Sequence, residues 1–236
     1  MDVNKEDSMS ITAIIPVLHE TNINRFLCDL GERTGNHKME IIVVDGDPEG
    51  STIGRISEDQ RNSPLIRKIT APRGRALQQN AGAKRARGNI LLFLHADTTL
   101  PNGFPGLITE TVEQGFSGGA FDLHIDSSHP LIKIISKIAS FRSRITKIPY
   151  GDQGIFLKKE LFHRIDGFDK IPLMEDISLM QKVKKTGEPF KILPQRASTS
   201  ARRWIEQGIV RTMIRNPILA MLYYLGVSPK TLVRFY

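Results

Sequence analysis

Several short stretches of this chain hold side chains spaced for chemistry. In residues 89–98, NILLFLHADT, five apolar residues run straight into His95-Ala96-Asp97. An imidazole and a carboxylate two residues apart at a strand end can project into one crevice and hold a divalent cation against a diphosphate. A purely structural reading is also open, in which Asp97 or Thr98 caps a helix that Pro101 opens. Arg73-Gly74-Arg75 offers charge, close backbone approach and a helix start, the ingredients of an anion site, or else solvated arginines on a turn. Asp45, at the end of an apolar run, can accept hydrogen bonds from a base or ribose, or simply close a turn. Glu175-Asp176 opens a helical pattern, where paired acids complement the helix dipole. Arg202-Arg203-Trp204 joins an anion clamp to an aromatic face suited to a sugar ring, or else snorkelling arginines to a buried Trp.

The elements that must position these groups follow from periodicity. Apolar runs at 11–17, 39–44 and 89–94, with a short third segment at 66–70, read as strands, separated by helical patterns at 20–33 and 76–86. This alternation predicts an α/β fold with a mostly parallel, doubly wound sheet, and three of the four strands end in residues able to bind a nucleotide. No Gly-x-Gly-x-x-Gly follows the first strand, which argues against a nicotinamide dehydrogenase, and no Gly-rich activation loop supports a nucleotidyltransferase. The second half is less regular. Residues 116–125 read as a strand in which Gly118 and Gly119 would let backbone approach a ligand. Residues 131–148 form an amphipathic basic helix, expected to pack its apolar face on the sheet or to dock on anionic lipid. Short strands are expected at 155–157 and 190–193, with helices at 159–165 and from Glu175 to Lys185. A final helix over 204–225 is expected to break at Pro217, and the apolar run 217–227 is too short to span a bilayer.

With 236 residues, 40 % of them hydrophobic, the chain can bury a substantial core. Cys28 has no partner for a disulfide and reads as buried filler in a reducing compartment. The acidic start is unlike a signal peptide, so the expected location is cytoplasmic, with peripheral attachment to the inner membrane face as an option. The net charge of +8 is uneven: residues 127–151 carry +5, residues 195–236 carry +6, and the rest is −3. A basic excess confined to two segments points to a local anionic partner, a phosphate-bearing ligand or a membrane surface, and away from general nucleic-acid binding.

IIPVLHE, IIVVDGDPEGST, APRGRALQQNAGA, ILLFLHADTTLP, FSGGAF, YGDQGIF and MEDISLMQKVKKTG occur in that order. Over residues 11–194 the chain resembles the GT-A glycosyltransferases of family 2. The tail and the HADT variant resemble a bacterial subgroup labelled arsenosugar-biosynthesis or radical-SAM-associated transferases. The resemblance implies a GT-A catalytic domain over 1–194, with a donor half at 11–100 and an acceptor half at 101–194, followed by a basic helical extension at 195–236. It also implies inverting transfer from a UDP- or GDP-type sugar to an unknown hydroxyl acceptor. Pro16, Glu20, Asp45, Arg73, Asn80 and Ala96 would then contact the donor nucleotide, with Asp176 as general base. His95 and Asp97 would take Mn²⁺ or Mg²⁺, although the family usually has aspartate where His95 stands, and imidazole favours Mn²⁺. Gly119, Asp152, Glu175, Arg202, Arg203 and Trp204 would serve the acceptor or phosphates. A homodimer is compatible with the tail, and the rival reading is an inactive relative that binds membrane or nucleic acid through its basic segments.

Overall fold

Residues that read as continuous apolar runs become strands buried on both faces, and alternate side chains of each strand enter different cores. The computed structural model describes residues 10–61, 63 and 65–236; the acidic start at 1–9 lies outside the described residues. The chain runs through β1 (Ile11–Val17), α1 (Ile23–Arg33), β2 (Glu40–Asp45), α2 (Glu58–Arg61), β3 (Ile66–Thr70), α3 (Arg75–Arg85) and β4 (Ile90–Phe93). It continues as β5 (Thr98–Thr99), α4 (Phe104–Glu113), β6 (Gly118–Asp126), α5 (Pro130–Thr146), β7 (Ile155–Lys158) and α6 (Lys159–Arg164). The last part comprises α7 (Glu175–Lys185), β8 (Phe190–Ser200), α8 (Arg202–Glu206), α9 (Ile209–Tyr224) and α10 (Pro229–Leu232).

The strands form one sheet in the order β3-β2-β1-β4-β7-β6-β8-β5. β1 pairs in parallel with β2 and β4, β2 with β3, and β6 with β8. β7 runs antiparallel to β4 and β6, and β5 antiparallel to β8. From β1 the chain steps outward to β2 and β3, then returns on the other side of β1 as β4. The strand order therefore reverses between the carboxyl ends of β1 and β4, the place where an open α/β sheet leaves a crevice. Ile14, Ile42, Val44, Leu91 and Phe93 enter the core shared with α3 and α7. Ala13, Ile15, Ile41, Val43 and Leu92 enter the core shared with α1 and α4. This period-two division explains why β1, β2 and β4 carry apolar residues on both faces.

Several expectations are corrected. Helix α1 starts at Ile23 and not at residue 20, because Glu20 and Asn22 are held in the preceding loop by Thr52 Oγ1 and the Glu20 carboxylate. Neither Asp97 nor Thr98 caps a helix: Thr98–Thr99 pair with Thr199 and Ser198, and α4 starts after Gly103. β8 extends to Ser200, seven residues beyond the expected strand end at 193. Pro194 has no N–H to donate, and the register shift between Phe121 and Asp122 absorbs it as a bulge. The C-terminal helix breaks at Gly208, whose φ is 86°, and runs through Pro217. Cys28 is exposed rather than buried.

Of the two expectations for the apolar face of α5, packing on the sheet or docking on anionic lipid, the structure overturns the first. The inner face of α5 carries Ser136, Ser140 and Ser143, because the helix covers the edge of β6 that β7 leaves unpaired beyond Gly119, opposite the edge paired with β8. Ser136 Oγ accepts from Ile125 N at 3.0 Å, and Ser140 Oγ accepts from Leu123 N at 3.0 Å and donates to Leu123 O at 3.1 Å. Hydroxyls satisfy the sheet edge, and the apolar stripe is left facing solvent.

Candidate active site

Strand pairing assembles the cleft. Antiparallel pairing of β7 with β4 aligns Ile155 with Phe93, so the turn before β7, Tyr150-Gly151-Asp152, meets the segment leaving β4. A Cβ placed on Gly151 would stand 3.0 Å from His95 Nε2, so only a residue without a side chain fits there comfortably. The pairing of β5 with β8 carries Arg203 and Trp204 to the side of Asp97. Helix α7 delivers Asp176 from the third side. Its Oδ2 accepts from Gly151 N at 2.8 Å and its Oδ1 from Ile177 N at 2.8 Å. Met174, just before α7, has φ 67°, a left-handed conformation uncommon for a residue with a side chain.

The resulting cavity encloses about 160 Å³, with Arg75, His95, Asp97, Asp152, Asp176 and Arg203 in its wall. That volume is below the roughly 300–1,000 Å³ of most small-molecule sites, so it encloses only part of a molecule as large as a nucleotide sugar. Burial and the neighbouring Arg75 push the His95 imidazole down to about 3, so the ring is neutral at pH 7. Burial, reinforced by Asp176, pushes the Asp152 carboxyl up to about 6, and its Oδ1 has no hydrogen-bond partner. Glu175 is also raised by burial, against the pull of Arg75, whose Nε lies 2.7 Å from Glu175 Oε1. Thr212 Oγ1 in the cavity wall likewise has no partner. Buried polar atoms left unpaired are costly, and a polar ligand would satisfy them.

Of the residues singled out in the sequence, His95, Asp97, Asp152, Asp176, Arg203 and Trp204 line this cavity, with Ala96 between the first two. Glu175 stands behind them on Arg75. Others are placed elsewhere. Asn80 spends its amide on the backbone of Phe168, donating to its O at 2.8 Å and accepting from its N at 3.0 Å. Asp45 is buried, and its oxygens accept from Asp47 N, Thr52 N and Ile53 N, so it shapes the loop after β2. Pro16 sits opposite Val44 in the sheet, Glu20 is tied into the loop after β1, and Arg73 is exposed. Gly119 admits strands and not a ligand, since a Cβ there would lie 2.5 Å from the Phe156 ring and 2.6 Å from Lys191 O. Arg202 points to Glu206, 3.9 Å away.

Arg75, one of the two arginines of the expected anion site, also lines the cavity, as do Tyr150, Asn216 and Tyr236, which were not among the expected site residues. Arg75 had a signal in the paired arginines. Tyr150 lies in the YGDQGIF motif, whereas Asn216 and Tyr236 had no signal, because α9 and the tail reach the site only through tertiary packing.

The sequence matches glycosyl transferase family 2 over residues 12–168. The chain belongs to glycosyl transferase family 2. A curated relative in Bacillus subtilis (strain 168), the uncharacterized glycosyltransferase YfnE, is 31 % identical over 91 residues, which are 38 % of this chain and 23 % of YfnE. The chain thus aligns with about a quarter of that relative's length. The crystal structure of S. aureus TarS 1-349 superposes with a TM-score of 0.63 at 17 % identity, covering 89 % of this chain and 66 % of TarS 1-349. TarS 1-349 in complex with UDP-GlcNAc gives 0.64 at 16 % identity, covering 81 % and 58 %. These superpositions show a shared fold, in agreement with the GT-A fold that the resemblance implied.

The metal expectation meets a specific limit in this family 2 site. Among the described residues, no three His, Cys, Asp or Glu side chains are gathered as a ligand set. A neutral imidazole and a carboxylate are still a fitting partial donor set for a borderline cation whose remaining ligands come from a substrate and water.

Proposed function

We propose that this chain transfers a sugar from a nucleotide-diphosphate sugar to a hydroxyl acceptor with inversion at the anomeric carbon. The observation that carries this reading is one cavity beyond the carboxyl end of β4 whose wall holds the Asp176 carboxylate together with the cations Arg75 and Arg203. The acceptor oxygen attacks the anomeric carbon while its proton passes to an oxygen of Asp176. The bond from sugar to diphosphate breaks on the opposite face, and one displacement inverts the centre. Gly151 N holds the Asp176 carboxylate in place, so little reorganisation is needed as the proton arrives. Arg75 and Arg203 supply positive charge where the departing diphosphate gains negative charge. His95 and Asp97 would hold a divalent cation, Mn²⁺ or Mg²⁺, which supplies Lewis-acid stabilisation to that same leaving group.

A uridine diphosphate sugar is the first donor to test, since the TarS fold is seen with UDP-GlcNAc. The narrower arsenosugar subgroup rests on the HADT variant and the tail, and the acceptor is assigned only as a hydroxyl. Replacing Asp176 by Asn tests the assignment. Transfer should fall by about 10²–10⁴-fold while donor binding persists. Near-normal transfer by Asp176→Asn would remove Asp176 as the base.

A further inference from the structure

Among the described residues, the large apolar side chains left exposed all lie at 131–145 and 205–236, apart from Leu65. The same two regions hold the basic excess, +5 over 127–151 and +6 over 195–236. On α5 the outward stripe is Ile134, Ile138, Phe141 and Ile145, with Ile138 61 % and Phe141 66 % exposed. On α9 it is Val210, Ile214, Ile218 and Met221, continued by Leu225, at spacings that fall on one helical face. The two helices pack on each other, with Ile135 and Ala139 in the cluster that also contains Trp204 and Ile209. Lys133, Lys137, Lys147 and Arg211 stand exposed beside the stripes.

We infer that the outer faces of α5 and α9 form a docking surface for an anionic lipid bilayer. Apolar stripes flanked by lysine and arginine bury side chains among acyl chains while the cations meet lipid phosphates. No helix among the described residues is long and apolar enough to cross a membrane, so this contact lies in the interface plane. Charge decides between occupants. A second copy seated on this face would set one basic rim against another, whereas an anionic surface complements it. The inner face of α9 supplies Thr212, Asn216, Leu219 and Ala220 to the catalytic cavity. One helix therefore has a lipid side and a cavity side, and docking holds the cavity wall at the headgroup layer.

The test is flotation of the full chain with vesicles of phosphatidylcholine alone and of phosphatidylcholine with phosphatidylglycerol, without nucleotide. The chain should float with the anionic vesicles, and less so as salt rises. Lys133→Gln and Lys137→Gln should each weaken partitioning about fivefold. Ile138→Asp combined with Ile218→Asp should weaken it about tenfold or more, with an unchanged circular dichroism spectrum. Failure of the wild-type chain to float with anionic vesicles, or undiminished flotation of the Asp variant, overturns the inference. A dimer in sedimentation velocity that this variant dissociates, with no flotation, overturns it in favour of a second copy. The assay contains no sugar donor, so its failure is distinct from failure of the transferase reading.

Discussion

Asp176 and Asp152 illustrate two ways of placing a carboxylate in the same cavity. Asp176 is anchored by two backbone N–H groups. Asp152 is pushed up to about 6 by burial and by Asp176, and its Oδ1 is unpaired. The folded chain therefore binds a proton at Asp152 more tightly than the unfolded chain does. That contribution to stability is present at pH 4 and is lost as pH rises through about 6. Asp152→Asn should thus leave stability at pH 4 little changed and raise it by about 1–3 kcal/mol at pH 8, measured by denaturant unfolding with chelator present. An equal effect at both pH values would refute the ionisation argument. His95, already neutral, should add no step to a pH profile between 5 and 8.

At the scale of elements, α3 lies so close to the sheet that a Cβ on Gly82 would stand 2.4 Å from Ile14 Cγ2. Gly82→Ala should cost about 1–3 kcal/mol in denaturant unfolding, and an unchanged midpoint would mean that α3 is less tightly seated. Asn80 joins this helix to the Phe168 loop. Asn80→Ala should lose about 1–3 kcal/mol of stability for its two hydrogen bonds and leave donor affinity intact. Weakened nucleotide binding at unchanged stability would restore Asn80 to the donor site. Much of this level was legible in the sequence: the first four strands and the helices between them follow from apolar runs and turn residues. The inverted face of α5 was not, because periodicity marks a stripe without saying whether core or solvent receives it. The strand expected at 190–193 runs on to Ser200, past Pro194, because a bulge across the register accommodates the proline.

For the whole molecule, the sheet order turns dispersed motifs into one cleft. His95 and Asp97 leave β4, Asp152 precedes β7, and Arg203 follows β8. The positions of His95, Asp97, Asp152 and Asp176 in the cleft could be anticipated because each lies in a short motif. Those of Asn216 and Tyr236 could not, because only packing of the tail over the cleft brings them there. The account rests on a nucleotide-sugar donor at this cleft, and the most direct measurement is calorimetric titration of UDP, GDP and their sugar conjugates into the wild-type chain and Asp97→Ala. Each titration is run with Mn²⁺, with Mg²⁺ and with chelator. The account predicts binding selective for one base, strengthened by the cation in the wild-type chain and no longer so in Asp97→Ala. Absence of binding to every nucleotide under every condition would contradict it.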